Sequence, residues 1–435
     1  MKHYQVHFQP DDKKVTIHHG ATLLEAAGLV GIILTTPCGG MGRCRKCRVQ
    51  LLPSQKDVLA CQFRIEHDLE VFIPDSSRFF KQKILEHAIS REVDSDPAIQ
   101  KIFIAQSPSG GQQLCEHISG IIQAPCIIDD ASANGIQEKL AANSGNSTTA
   151  VIACRQDANA IQWSVMDVEK GDTTGTLFGI AVDIGTTTIV ARLIELQKGQ
   201  IAATVSTGNP QTQYGADVIS RIAHAETDQG LDTLNRSIVS CLNNLIQQAS
   251  QKAGIQPNDI YELTVAGNTT MNHLLLKYPL RQLGQAPYKA HCLEASDQRP
   301  GDIGLQINPG GNIHTLPNIS GFVGSDTVAA ALACGMDITE TATLLVDIGT
   351  NGEIVYGAKD SLVAASCAAG PALEGAGIEF GSRAQTGAIE RVVLEENDID
   401  VDVIDQAEAA TICGSGLIDA VAVMLDLGLI EPTGR

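Results

Sequence analysis

The spacing of apolar positions predicts a small strand-rich unit at the start of this chain. Alternation with a period of two predicts strands at residues 4–8 and 15–17, joined by a polar turn, and a closing strand at 68–74. Between them, an apolar stretch behind a capping-box pattern predicts a short helix over 23–30. The pattern therefore predicts a hairpin, a helix and a further strand as the core of the first unit.

From about residue 176 the apolar pattern changes to strands that alternate with helices. The longest helical stripe joins Leu231, Leu234, Ile238, Cys241, Leu242, Leu245 and Ile246, and we interpret it as core packing. Because strands and helices alternate as far as the last residues, we expect two α/β lobes with a cleft between them.

One strand–turn–strand segment occurs twice in this part, at 179–195 and at 343–357. In each copy an apolar strand ends in an aspartate, Asp183 or Asp347, which can serve Mg²⁺ and its waters as an oxygen ligand. The turns that follow contain Gly185, Thr186, Thr187 and Thr188 in the first copy, and Gly349, Thr350, Asn351 and Gly352 in the second. Glycines let backbone N–H groups approach an anion, and hydroxyls add donors. Two facing copies would hold a nucleoside triphosphate from opposite sides.

Ordinary hairpins are the alternative interpretation, since Asp-x-Gly is a common turn. Repetition within one chain favours a duplicated site. Further candidates for the cleft are Asn268, Asp326 and Glu353, for each of which a structural turn or cap is an equally good interpretation. A further glycine-rich turn lies at Gly414, Ser415 and Gly416.

The cysteines of the first unit follow the predicted helix in the pattern C-x5-C-x2-C. Cys38, Cys44 and Cys47 lie on one glycine-rich loop, and Cys61 follows from a neighbouring segment. Thiolates with this spacing can hold two irons bridged by two sulfides. A zinc site is the alternative, although a zinc ribbon requires a second C-x2-C pair, which this chain lacks.

Residues 79–175 carry no visible site. Helical spacing at 79–89, strand patterns at 101–105 and 149–154, and a stretch rich in Ala, Ser, Asn and Gly at 131–148 predict a linker followed by a small α/β domain. Cys115, Cys126 and Cys154 lack metal-ligand spacing, so we expect core cysteines.

Composition narrows the classes of partner. The chain has 435 residues, a hydrophobic fraction of 43% and a formal net charge of -20, which argue for a sizeable core and against a nucleic-acid or membrane-surface partner. Neither a leader pattern nor an apolar run of spanning length is present, so we expect a cytoplasmic protein. Twelve cysteines in a reducing compartment indicate metal chemistry and burial rather than disulfides.

Several motifs together resemble known families. Residues 38–61 are similar to the 2Fe-2S ferredoxin domain with a β-grasp fold, and the Asp183 and Asp347 turns resemble the two phosphate motifs of the acetate/sugar kinase, heat-shock chaperone and actin-like ATPase superfamily. More narrowly, VAGNTTMNHLL, GFVGSDT, DIGTNGE, AAGPALEGA and ICGSGLID, in this order behind a 2Fe-2S domain, resemble the reductive activators of corrinoid proteins.

The resemblance implies three parts. These are a 2Fe-2S domain at 1–78, a linker and middle domain at 79–175, and duplicated actin-like ATPase lobes at 176–435. It implies that the protein uses ATP with Mg²⁺ to re-reduce a Co(II) corrinoid to Co(I), passing the electron from its own cluster. Implied partners are a corrinoid protein or corrinoid-dependent methyltransferase and an upstream reductant, while a homodimer stays open.

The resemblance is incomplete at the C-terminus. In the superfamily an adenosine motif follows the second phosphate motif much further along the chain, whereas here fewer than 90 residues follow Asp347. The turn at 414–416 is a candidate substitute for the adenosine motif, and the alternative interpretation is an earlier subdomain element, which its position fits better. We therefore expect the ATPase half to be cut short. Two alternatives follow: a modular 2Fe-2S electron carrier with an inert ATPase-like half, or an ATP-dependent activator of a radical dehydratase.

Overall fold

The computed structural model describes most of the chain. Residues 2–32, 34, 36, 40, 42–43, 45–74, 77, 95–157, 160–215, 217–349, 351–367, 378–395 and 398–434 are described. The helical segment expected at 79–89 and the AAGPALEGA motif at 368–376 lie outside the described residues.

The first unit is one mixed sheet with a helix packed on it. Its elements are β1 (His3–Gln9), β2 (Lys13–His18), α1 (Leu23–Leu29), β3 (Arg48–Leu52), β4 (Lys56–Leu59) and β5 (Leu69–Phe72), in the sheet order β2-β1-β5-β3-β4. Strands β1 and β5 run parallel and the other neighbours antiparallel. Thr22 and Glu25 form the expected capping box at the start of α1. The predicted β-grasp arrangement is therefore confirmed.

The second unit is a four-stranded sheet with two helices. It comprises β6 (Ile99–Ile104), α2 (Gly111–Ile122), β7 (Cys126–Ile127), α3 (Asp130–Ala142), β8 (Thr148–Asp157) and β9 (Ala160–Lys170), in the order β6-β8-β9-β7. Much of the Ala-, Ser-, Asn- and Gly-rich stretch at 131–148 is helical, because the Asp129 side chain accepts from Ser132 N and starts a helix there. Cys115 and Cys126 pack in the core of this unit, while Cys154 is half-buried.

The third unit is the largest sheet and carries the longest helix. Its elements are β10 (Phe178–Ile184), β11 (Thr188–Glu195), β12 (Gln200–Gly208), α4 (Val218–His224), α5 (Asp228–Ala253), β13 (Ile260–Gly267), α6 (Thr269–Leu275), β14 (Ser296–Gln298), α7 (Pro300–Ile303), β15 (Asn312–Thr315) and α8 (Ser325–Ala333). The order is β12-β11-β10-β13-β15-β14. The apolar stripe of α5 packs on this sheet, as its period predicted.

The last part contains two three-stranded sheets. Strands β16 (Thr343–Ile348), β17 (Gly352–Ala358) and β18 (Ser361–Cys367) form one, and β19 (Ala388–Glu395), β20 (Asp398–Val403) and β21 (Thr411–Ile412) form the other, followed by α9 (Gly414–Asp426). Strand β16 lies at a sheet edge, and Leu344, Val346 and Ile348 are 61%, 51% and 66% exposed. Strand β10 lies between β11 and β13 with its apolar side chains buried. The two copies of the repeat thus share local structure but not burial.

A buried polar network attaches the second unit to the third. The Tyr261 hydroxyl on β13 donates to Glu169 Oε1 at 2.6 Å and lies 3.2 Å from Asp167 Oδ2, both on β9. Asn308 Nδ2 also donates to Asp167 Oδ2, at 2.9 Å, and Lys101 Nζ lies 2.7 Å from Glu169 Oε2. The two carboxylates are thus satisfied by groups from both units.

None of the described helices is both long and apolar enough to span a membrane.

Replacing Tyr261 with phenylalanine should weaken this attachment. The Glu169 carboxylate would lose its hydroxyl donor while it stays largely buried, which should lower the free energy of unfolding by about 1–3 kcal/mol. The single tryptophan of the chain, Trp163 on β9, reports on the second unit, so urea unfolding followed by its fluorescence measures the change. Tyr288→Phe is the control, since Tyr288 is 49% exposed. Equal unfolding midpoints for the two variants would contradict the assignment.

Candidate functional site

The turn between β10 and β11 is tight and requires glycine at its start. Gly185 N donates to Thr188 O at 2.9 Å, which closes the turn. A Cβ at Gly185 would lie 2.6 Å from Thr188 O, a distance that no side chain tolerates. The glycine predicted to open the turn to an anion is therefore also required by its geometry.

Asn268 is a helix cap and also contacts the first turn. Its side-chain oxygen accepts from Met271 N at 3.0 Å and caps α6. Its Nδ2 donates to Thr186 Oγ1 at 3.0 Å, so the same amide holds the first turn. Capping fixes the Asn268 rotamer, and the fixed rotamer positions the threonine.

Close packing of two glycine-containing turns brings Asp326 next to Asn268 and the first turn. A Cβ at Gly324 would lie 2.4 Å from Asn268 Cα, so the start of α8 can cross the Gly267–Asn268 turn only as glycine. Ser325 is fully buried and its Oγ lies 3.0 Å from Gly267 O. Asp326 follows in the first turn of α8, where its Oδ1 accepts from Thr327 N at 2.7 Å.

The second turn places two carboxylates opposite each other. Asp347 on β16 pairs with Glu353 on β17 in the antiparallel register, and Gly349 N donates to Asn351 O at 3.1 Å within the turn. Ser366 Oγ on β18 donates to Glu353 Oε1 at 3.2 Å. Thr350 lies outside the described residues. Like charges directly opposite each other destabilise a sheet, so this pairing of Asp347 with Glu353 lowers the stability of the hairpin.

Carboxylates of the two turns lie close enough for their charges to interact. Burial raises the pKa of Asp183 to about 6, and the negative charges of Asp326 and Asp347 add to the shift. Burial and Asp326 likewise raise the pKa of Glu353 to about 7. The pKa of Asp326 is raised by burial and by Asp347. The two turns thus face each other across a crowded group of acids, an arrangement that a cation would stabilise.

Replacing Glu353 with glutamine should stabilise the ligand-free protein at pH 8 and not at pH 4. A carboxyl whose folded pKa is raised stabilises the fold fully below its unfolded value, near 4.5, and that stability is lost as pH rises through about 7. The melting temperature of the variant, compared with that of wild type from pH 4 to 8 without divalent cations, measures this. An unchanged or lower melting temperature at pH 8 would contradict the crowding.

Two buried residues that the sequence did not point to, Asn209 and Arg221, hydrogen-bond to the backbone of the first turn. Asn209 is fully buried; its Nδ2 donates to Gly185 O at 2.8 Å and its N to Thr187 O at 2.7 Å. Arg221 on α4 is also fully buried and donates to Thr186 O. The sequence offered one signal for Arg221, which is an arginine within the largely apolar run Val218–Ile222. It offered none for Asn209, which resembles an ordinary turn residue.

The glycine-rich turn at Gly414, Ser415 and Gly416 begins α9. A Cβ at Gly416 would lie 2.3 Å from Ile389 O on β19, so close helix–strand packing by itself requires this glycine. Ser415 Oγ lies 3.4 Å from Cys413 Sγ. A role in adenosine binding stays a prediction.

Two of the four predicted cluster cysteines lie together in the core of the first unit. Cys47 Sγ and Cys61 Sγ are 3.3 Å apart, and the residues are 1% and 7% exposed. Gln62 Nε2 donates to Gly40 O at 2.5 Å and lies 3.8 Å from Cys61 Sγ. Cys38 and Cys44 lie outside the described residues, within which no three metal-ligating side chains are grouped closely enough to hold an ion.

Three family models match this chain in succession. A 2Fe-2S iron-sulfur cluster binding domain matches residues 3–73, the RACo middle region matches 178–339, and the C-terminal domain of RACo, the ASKHA domain, matches 341–435. These matches define a class of protein that joins an iron-sulfur module to an actin-like ATPase fold.

Individual relatives narrow the class. The corrinoid activation enzyme RamQ of Eubacterium limosum is 33% identical over 98% of this chain and 71% of its own length. The Co(II) methylated amine-specific corrinoid protein reductase of Methanosarcina barkeri is 28% identical over 59% of this chain and 52% of its own length. A solved reductive activator for a corrinoid, iron-sulfur protein superposes with a TM-score of 0.68 at 32% identity, over 99% of this chain and 74% of that one. The chain belongs to the RACo family, the reductive activators of corrinoid proteins.

Proposed function

We propose that this protein is an ATP-dependent reductive activator that passes one electron from a 2Fe-2S cluster to a Co(II) corrinoid and yields Co(I). One observation carries the proposal. In a chain of the RACo family, two thiols of the cluster motif lie paired in the first unit, and the carboxylates of two phosphate-type turns lie close enough to interact electrostatically in the same polypeptide. A carrier without ATP chemistry would have no use for such a group of acids.

The residues present fit a 2Fe-2S cluster. Cys38, Cys44, Cys47 and Cys61 would hold it, and the cluster would supply one-electron reduction. Burial of Cys47 and Cys61 keeps water from the sulfur atoms, and the Gln62 amide lies close enough to Cys61 Sγ for a weak hydrogen bond. Both features influence the reduction potential of such a cluster.

The residues present also fit a nucleotide with Mg²⁺. We assign Asp183 and Asp347 to Mg²⁺ and its waters, and the turns at 185–188 and 349–352 to phosphate, with Asn268, Asp326 and Glu353 around them. Thr187 Oγ1 is buried and has no hydrogen-bond partner within the described residues, which leaves a hydroxyl available for a phosphate oxygen. Mg²⁺ would neutralise the negative charge that raises the pKa values of these acids.

An energetic argument connects the two sites. Plant-type clusters have reduction potentials of about -400 mV. Moving one electron to an acceptor whose reduction potential is 100 mV lower costs about 2.3 kcal/mol. Closure of two lobes on ATP can shift this balance if the closed form binds the reduced partner more tightly. The opposed acidic turns are the groups that such a closure would bring around the nucleotide.

We also propose roles for the third turn, the modules and the partners. Gly414, Ser415 and Gly416 would contact the adenosine, the division at 1–78, 79–175 and 176–435 would separate the modules, and the partners would be a corrinoid protein or methyltransferase and an upstream reductant. None of the ten described cysteines forms a disulfide, which supports a reducing, cytoplasmic location. Sedimentation of the purified chain tests self-association as a homodimer.

An anaerobic assay tests the function. The purified chain is mixed with a chemical reductant and a corrinoid protein held as Co(II), and the Co(I) absorbance is followed with MgATP, with MgADP and without nucleotide. We expect Co(I) only with MgATP. Equal rates under all three conditions would favour the simple carrier, and no Co(I) with any corrinoid protein tried would overturn the proposal.

A further inference from the structure

Arg221 is an unusual residue for the core of an α/β lobe. It is 0% exposed and is among the largest fully buried side chains described. It lies on α4, one helical turn after the N-cap Asp217. Burying a guanidinium is costly unless its donors are satisfied and its charge is used.

The donors of Arg221 are satisfied almost entirely by neutral oxygens. Nε donates to Gly215 O at 2.9 Å, Nη1 lies 3.4 Å from Gln211 Oε1, and Nη2 donates to Thr186 O. Nη1 also lies 3.2 Å from Met271 Sδ. None of these four partners is a carboxylate. Burial lowers the pKa of Arg221 to about 9 and Asp217 partly opposes this, so the side chain is cationic at neutral pH.

The bond to Thr186 O connects this charge to the first turn. In a trans peptide the C=O and the following N–H point in opposite directions, so a cation that holds Thr186 O also fixes the direction of Thr187 N–H. Asn209 N holds the next carbonyl, Thr187 O, at 2.7 Å. Two buried groups therefore orient consecutive peptides of the turn that carries the unpartnered Thr187 hydroxyl.

We propose that Arg221 is a positioning residue for phosphate: its buried charge, acting through the Thr186–Thr187 peptide, makes the first turn favour ligands with more phosphate groups. This inference rests on the proposed function and deepens it, because it assigns the preference for ATP over ADP to a group behind the turn. A neutral side chain of similar size would keep the packing and remove that preference.

Equilibrium dialysis of the full chain against ATP, ADP and adenosine with Mg²⁺ tests this. For Arg221→Met we expect affinity to fall about tenfold for ATP and about threefold for ADP, and to stay unchanged for adenosine, which bears no phosphate. Arg221→Lys keeps the charge and should retain most of the ATP affinity. Arg236→Met is the matched control, since Arg236 is exposed on α5 of the same unit.

Folding is checked by Trp163 fluorescence, and Arg221→Gln replaces Arg221→Met in the comparison if the latter does not fold. Equal losses for all three ligands would reduce Arg221 to a packing role and overturn the proposal, as would a lysine variant as weak as the methionine variant. A wild-type chain that binds ATP while every Arg221 variant binds it equally well would overturn this inference alone. A wild-type chain that retains no ATP would overturn the nucleotide part of the proposed function as well.

Discussion

Cys61→Ser should leave the protein without its cluster and without activity. A serine oxygen is a poor substitute for a thiolate on iron, and Cys61 is the one ligand of the proposed set that comes from outside the cysteine loop. Iron and acid-labile sulfide should fall from about two each per chain to near zero. The visible absorbance and the formation of Co(I) should be lost together.

A core cysteine provides the control for this experiment. Cys241 on α5 packs against the core of the third unit, and burial raises the pKa of its thiol to about 12, so it is inert. Cys241→Ser should keep full iron and sulfide content. Zinc in place of iron in the wild-type protein, or an unchanged spectrum for Cys61→Ser, would contradict the cluster assignment.

Asp183→Asn should abolish the dependence of activation on ATP while it leaves the cluster intact. The amide preserves size but removes the charge that we assign to Mg²⁺ and its waters, and removal of one preorganised group typically costs on the order of a hundredfold in rate. The iron content and the cluster spectrum should match wild type. The rate of Co(I) formation with MgATP, divided by the rate without nucleotide, measures the loss.

Stability separates this result from misfolding. Because the pKa of Asp183 is raised by burial and by neighbouring acids, its ionised form destabilises the ligand-free fold at pH 8. The Asn variant should therefore melt at an equal or higher temperature than wild type. Asp360→Asn, at the exposed turn between β17 and β18, is the control and should behave as wild type. Full ATP-dependent activity in Asp183→Asn would refute the role of the cleft.

The repeated hairpin shows how far local pattern reaches. The sequence identified both strand–turn–strand segments and placed Asp183 and Asp347 at the ends of their strands, as observed in β10 and β16. It could not distinguish a strand in the middle of a six-stranded sheet from one at the edge of a small sheet. The two copies have nearly the same apolar period, and burial depends on which neighbours pair with them.

For residues 131–148, the helix cap predicts the secondary structure better than the amino-acid composition does. This stretch is rich in Ala, Ser, Asn and Gly, but Asp129 caps a helix whose Ile136 and Leu140 are buried. Two well-spaced apolar residues and one cap outweighed an unremarkable composition. Such a short apolar signal gains its meaning from the sheet on which the helix packs.

The sequence by itself determined the order of the elements, the cysteine pattern of the first unit and the residues of the two turns. Each of these depends on local rules of strand period, capping and turn chemistry, which operate within a few residues. The tertiary structure alone decided that Asp326 and Glu353 join Asp183 and Asp347, and that Asn209 and Arg221 hold the first turn. These contacts join residues far apart in the chain, and only the packing of helices and strands brings such residues within hydrogen-bonding or electrostatic range of one another.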